Sequence, residues 1–185
     1  MHGLVFAELE KFVTRAHGAS QWQAVLSQAG MSQQVFVALG TYPDTDLMKL
    51  VKAACTITRT PAAPLLEGFG EFITPKLFTM YRTAITSSWR TLDLIENTET
   101  VIHTVVRSRG GTPPVLSVTR QDATHLVVDY GSKRKLCALA RGIMRGIATH
   151  YGESITISEP TCMLLGAKTC RLELSLAPAP AVKTA

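Results

Sequence analysis

The sequence predicts an α+β protein, a helical N-terminal part followed by a β-β-α-β-β sheet part. Three observations predict it. Over residues 3–108 the apolar residues recur at helical spacing. "VLSVTRQDATHLVVDY" then alternates with period two and is rich in valine. A second alternating pair, "SITISEPTCMLLGAKTCRLELSL", follows one more helical segment.

In "MHGLVFAELEKFV", Leu4, Val5, Leu9, Phe12 and Val13 form the apolar stripe of a first helix, which stops near Gly18. Ser20 reads as the N-cap of a second helix, which carries Trp22 and Leu26 and ends at Gly30. "TYPDTDLMKLVKAACTITRT" is a turn and then a helix capped by Asp44 or Thr45. "PAAPLLEGFGEFITPKLFTMY" starts at a proline-rich break and stays helical through Phe69, Phe72 and Phe78. "WRTLDLIENTETVIHTVVRS" gives a helix or a helix pair. After "GGTPP" come a hairpin turning at Arg120–Ala123 and a helix in "KRKLCALARGIMRGIATHYG". The last hairpin turns at Gly166–Lys168. Residues 1–176 read as one domain, divided into a helical subdomain 1–60 and a helix-and-sheet subdomain 61–176; residues 177–185 read as a disordered tail.

Composition bounds the function. A chain of 185 residues with 46% hydrophobic and 18% charged residues has enough apolar mass for one sizeable core. The net charge is +5, but the 19 basic residues are scattered and the run Lys133–Lys135 is short, which argues against nucleic acid. No stretch of about 18 apolar residues predicts a membrane span. Acidic residues interrupt the N-terminal apolar run and no small-residue cleavage site follows, so no signal peptide is expected. With four cysteines, that points to a reducing, cytoplasmic setting. No nucleophile–base pair, phosphate loop or carboxylate dyad suggests an enzyme.

Two groups of residues invite a ligand. In "YGSKR", Tyr130, Ser132 and Arg134 alternate at a strand end, where side chains point the same way. Either Ser132 caps a helix starting at residue 133, or the three grip an anion, because a guanidinium offers a carboxylate two parallel donors. His103 lies on an apolar helix, whereas His2, His17, His125 and His150 fall at helix ends, on a hairpin strand or at the surface.

In succession these segments resemble the H-NOX family, the haem nitric oxide/oxygen binding (HNOB) domains of bacterial stand-alone type. "MHGLVFAELEKFV" resembles the family's opening helix, "YPDTDLMKLV" its tyrosine–proline–aspartate helix start, and "LLEGFGEF" its phenylalanine–glycine segment. "LIENTETVIH" stands at its histidine helix, "TPP" at its proline turn, and "YGSKR" matches its Y-x-S-x-R signature in full. The resemblance covers residues 1–175 and implies haem b. It implies that Tyr130, Ser132 and Arg134 clamp the propionates, that His103 is the axial iron ligand, and that Pro114 packs against the macrocycle and bends it. Leu4 and Val5 would cover the distal face. Leu139 stands where oxygen-binding members carry a distal tyrosine, which implies nitric oxide and carbon monoxide as the gas ligands. One departure stands out: aligned without gaps on "IEN", the ligand position falls on Ile102, one residue before His103. That is about 100° of helix rotation, and a local bulge would be needed to restore it.

The resemblance also marks Cys137, Cys162 and Cys170, which match the three thiols of a zinc or oxidation-sensing cluster in some bacterial members. Glu159 stands where those members carry a histidine. Three readings stay open: zinc held by three thiolates and a carboxylate, reversible disulfide formation, or inert packing. Cys55 reads as a core residue. By resemblance the partner is a separate signalling protein: a histidine kinase, a cyclic-dinucleotide enzyme or a chemotaxis-type receptor. Two other readings compete with the haem sensor, a haem-free interaction module on the same scaffold and a ligand-binding domain of the vinyl-reductase type, which the final hairpin also resembles.

Overall fold

The computed structural model describes residues 1–177; the tail expected to be disordered lies, from residue 178 on, outside the described residues. Among the described residues seven α-helices and four strands follow in the order α1 (Gly3–His17), α2 (Ala19–Gln28), α3 (Asp44–Thr58), α4 (Ala62–Tyr81), α5 (Thr91–Asn97), α6 (His103–Ser108), β1 (Val115–Arg120), β2 (His125–Gly131), α7 (Cys137–His150), β3 (Ile155–Thr161) and β4 (Cys170–Leu176). A π-turn, Thr98–Ile102, joins α5 to α6, and a short 3-10 turn, Met163–Leu165, precedes β4. The α+β class and the β-β-α-β-β order are as the sequence predicts. No described helix is long and apolar enough to cross a membrane.

Three local expectations are corrected. Ser20 lies inside α2, and Gly18, at φ 92°, occupies the N-cap without any side-chain bond. A glycine there lets the chain leave α1 and enter α2 in one residue. Asp44 is the first residue of α3, after Pro43 at the cap position, and its carboxylate is engaged elsewhere. Helix α7 starts at Cys137, because Lys135 takes a left-handed φ of 52° and breaks the backbone before it.

Two apolar clusters form the core. The first gathers Phe6, Leu9 and Val13 of α1, Trp22 of α2, Leu47 and Leu50 of α3, and Leu65 and Phe69 of α4. The second gathers Leu92 and Ile95 of α5, Leu126 and Val128 of β2, Leu172 and Leu174 of β4, and Met144 and Ile147 of α7. Burying a side chain such as Phe69 contributes on the order of 2–3 kcal/mol. The clusters meet where α4 crosses α7. There a Cβ at Gly142 would lie 2.0 Å from the Glu67 carbonyl oxygen, and one at Gly70 would lie 2.5 Å from that of Leu139. Only glycine lets the two backbones touch.

The strands form one antiparallel sheet in the order β1-β2-β4-β3. Its register places Tyr130 opposite Leu116 on one side and Cys170 on the other. Tyr130 therefore stands between the segment that follows His103 and the cysteines.

Candidate functional site

The segment bearing His103 begins as an ordinary helix and widens. The His103 amide bonds back to the Thr98 carbonyl, five residues earlier, closing a π-turn over Thr98–Ile102. Such a turn accommodates one more residue than an α-turn and rotates everything after it. His103 is buried as a result, while Ile102 is half-buried. The π-turn is the local bulge that the alignment on "IEN" calls for. The other four histidines are exposed.

The His103 ring is held from one side. Its Nδ1 lies 2.8 Å from Glu99 Oε2. The Leu116 amide donates to the same carboxylate oxygen at 3.0 Å, and Arg107 donates to the other. Burial pushes the His103 pKa below its ordinary value, and the opposing pull of Glu99 does not overcome it. At neutral pH the ring is therefore the neutral imidazole that a metal requires. The Glu99 pKa is lowered too, but for a different reason. Burial would raise its pKa, but hydrogen bonds from His103, Arg107 and Leu116 outweigh burial and keep it ionised.

Arg134 reaches the same loop from the opposite end. Strand β2 stops at Gly131, and the Ser132 hydroxyl accepts from the Arg134 amide at 3.2 Å. Ser132 thus closes a turn and does not cap a helix starting at residue 133. This turn, and not strand alternation, joins Ser132 to Arg134, while Tyr130 on β2 is buried in the second cluster. The guanidinium donates to the Thr112 carbonyl at 2.6 Å and to Asp44 Oδ2 at 3.1 Å. The N-terminal ammonium sits 2.9 Å from Asp44 Oδ1. Burial would raise the Asp44 pKa, but hydrogen bonds from the ammonium and Arg134 hold it below the usual carboxylate value. One carboxylate between two cations leaves this corner with an excess positive charge. Burial keeps the nearby Tyr130 phenol protonated and able to donate. A phenol, a hydroxyl and a guanidinium beside excess positive charge are a donor set suited to a carboxylate.

Of the apolar residues singled out by the sequence, Leu4 is buried outside both clusters. Val5 and Leu139 pack against the first cluster, and Pro114 is half-buried just before β1. Two surface grooves of about 500 and 490 Å³ flank the outer face of α1, and neither is lined by any of the singled-out residues.

The thiols of Cys137, Cys162 and Cys170 converge behind the sheet. Cys162 Sγ lies 3.8 Å from that of Cys137 and 3.7 Å from that of Cys170. Together with a Glu159 carboxylate oxygen, the ligand atoms all lie within 4.8 Å of one another. A tetrahedral zinc with Zn–S bonds of about 2.3 Å has sulfurs about 3.8 Å apart, so the residues fit such an ion. Arg141 donates to one Glu159 oxygen, while the other, Oε1, is buried without a partner. Burial and then Glu159 push the Cys137 thiol up to about 11, and burial raises Cys170 as well. Burial thus favours the protonated form of these two thiols when no metal is bound. Cys55 lies apart, half-buried on α3 against the first cluster.

Two participants carry little mark of their role in the sequence. Asp44 reads as a helix cap, and Glu99 is signalled only by its place four residues before His103, on the same helical face.

The sequence pattern of the family described as haem-NO-binding (HNOB) matches residues 2–159, and the chain belongs to that family. Its structure is similar to that of an H-NOX protein from Shewanella oneidensis in the Fe(II)NO ligation state, with 26% identity and a TM-score of 0.88 over 96% of this chain and 100% of that one. The Fe(II)CO form of an H-NOX domain from the same organism gives 26% identity and a TM-score of 0.85, over 97% and 100% of the two chains. An unliganded Fe(II) H-NOX protein from K. algicida gives a TM-score of 0.87 over 97% and 98%; at 19% identity it attests the fold alone. No curated protein matches significantly. The fold is that of a haem-based gas sensor.

Proposed function

We propose that this chain binds haem b through His103 and senses nitric oxide, with carbon monoxide as a second ligand, and that it signals to a separate protein. The observation that carries the reading is the π-turn at Thr98–Ile102, which delivers His103 to a buried position beside the loop that Arg134 grips. Bound haem supplies an iron with one coordination position free for a diatomic gas. Tyr130, Ser132 and Arg134 would hold its propionates, and Pro114 would pack against the ring. Leu4, Val5 and Leu139 keep the distal side apolar, and without a hydroxyl there dioxygen gains no hydrogen bond.

His103 also connects the site to the rest of the molecule. Through Glu99 and Leu116 it is tied to the start of β1 and so to the loop before it. Displacement of the ring would move that loop and α6 together. A histidine kinase, a cyclic-dinucleotide enzyme or a chemotaxis-type receptor would read the change, provided that it binds the two states unequally. Purified protein should show a Soret band that shifts on addition of nitric oxide and disappears in His103→Ala. A colourless protein that fails to take up added haemin overturns the reading and leaves the haem-free interaction module in its place.

Zinc at the cysteine cluster is favoured by the unpartnered Glu159 oxygen and by the sulfur separations. The ion would be held by Cys137, Cys162, Cys170 and Glu159. A metal assay should find about one zinc per chain and little in Cys162→Ser; equal metal content in the two ends the idea.

A further inference from the structure

We infer that Glu99 is the positioning residue for His103, setting how strongly that ring donates to iron, and that Arg107 moderates it. The inference rests on the reading that His103 holds the haem. Three observations support it. Glu99, His103 and Arg107 follow one another at four-residue intervals and share one stripe across the π-turn. Glu99 Oε2 is 2.8 Å from His103 Nδ1, which fixes the tautomer with Nε2 as the lone-pair nitrogen. The Leu116 amide, at 3.0 Å from the same oxygen, locks the carboxylate in place from β1.

An imidazole whose Nδ1–H is shared with a carboxylate gains anionic character and becomes a stronger donor through its other nitrogen. Arg107 draws on the opposite oxygen of Glu99, leaving less negative charge for the ring. The pair therefore acts in opposite senses. The half of the stripe that strengthens the ligand is anchored to the sheet, and the half that weakens it is partly exposed at the surface, with Arg107 42% accessible.

The test compares haem-reconstituted wild type, Glu99→Gln, Arg107→Ala and His103→Ala. In the Fe(II) form, the iron–histidine stretching band in the resonance Raman spectrum should shift down in Glu99→Gln, which keeps the shape but removes the charge. Haem should pass from this variant to a scavenging globin about ten times faster. The band should shift up in Arg107→Ala. A Soret band retained in Glu99→Gln establishes that the variant is folded and loaded. If the stretching band then stays at its wild-type position, the role of Glu99 is overturned while the haem reading stands. If wild type takes up no haem, or His103→Ala keeps an unaltered spectrum, the haem reading fails and this inference falls with it.

Discussion

Glu99 and Glu159 are both partly buried carboxylates beside a candidate metal ligand, and they are solvated in opposite ways. Glu99 is saturated: His103 and the Leu116 amide share one oxygen and Arg107 takes the other. Glu159 is half-satisfied, with one oxygen on Arg141 and the other buried and unpartnered. A carboxylate with all its donors present orients a neighbour and needs nothing more from solution. A carboxylate lacking a donor, set among three thiols, marks a place where a cation completes the shell. The first region is preorganised by the chain, and the second is left for an ion to finish.

The sharpest test of this contrast is a pair of substitutions in protein free of haem and metal. Glu99→Leu strips the Leu116 amide and the buried His103 ring of their acceptor, and should cost about 2–3 kcal/mol in denaturant unfolding. Glu159→Leu removes an atom that was already unsatisfied, and Arg141 keeps Glu67, so the cost should stay within about 1 kcal/mol. With zinc added the order of interest reverses: wild type should gain thermal stability and Glu159→Leu should gain less. Equal losses in the two metal-free variants would break the comparison.

The same contrast bears on what the sequence could reveal. Helix α1, the valine-rich hairpin and the last hairpin were legible because their periodicities are local. "YGSKR" was legible as an anion grip, yet its geometry was not: the turn depends on a left-handed Lys135 and on Asp44 arriving from α3, ninety positions earlier. The one-residue offset of His103 was visible, but the π-turn that absorbs it is a tertiary solution, built where the Glu99 carboxylate meets β1. Cys137, Cys162 and Cys170 stood out by residue type. The missing partner of Glu159 could not, since an unsatisfied atom is defined by what surrounds it.

The smallest expected effect separates the two regions by pH. His103 has its folded pKa depressed by burial, so below the unfolded value of about 6.5 the unfolded chain binds a proton that the folded chain refuses. Its contribution is fully present above that value and is lost as the pH falls toward the folded pKa. Asp44, Glu67, Glu99 and Glu153 are also depressed on balance, because their hydrogen bonds to cationic partners or amides outweigh burial. Their contributions are present above about pH 4.5 and vanish as the pH falls below it. In haem-free protein, denaturant midpoints should therefore sag gently as the pH falls below about 6.5 and more steeply below about 4.5. His103→Gln should abolish the first sag and keep the second. Without metal, Cys137 and Cys170 should add nothing to either, since burial pushes both thiols up, Cys137 to about 11. Loaded with zinc it should add a third component, because protons compete with the ion for the thiolates and acid releases it. A cluster that stays silent from pH 7 to 4 with zinc present would mean that Glu159 and the three thiols do not act as a metal site, whatever their spacing.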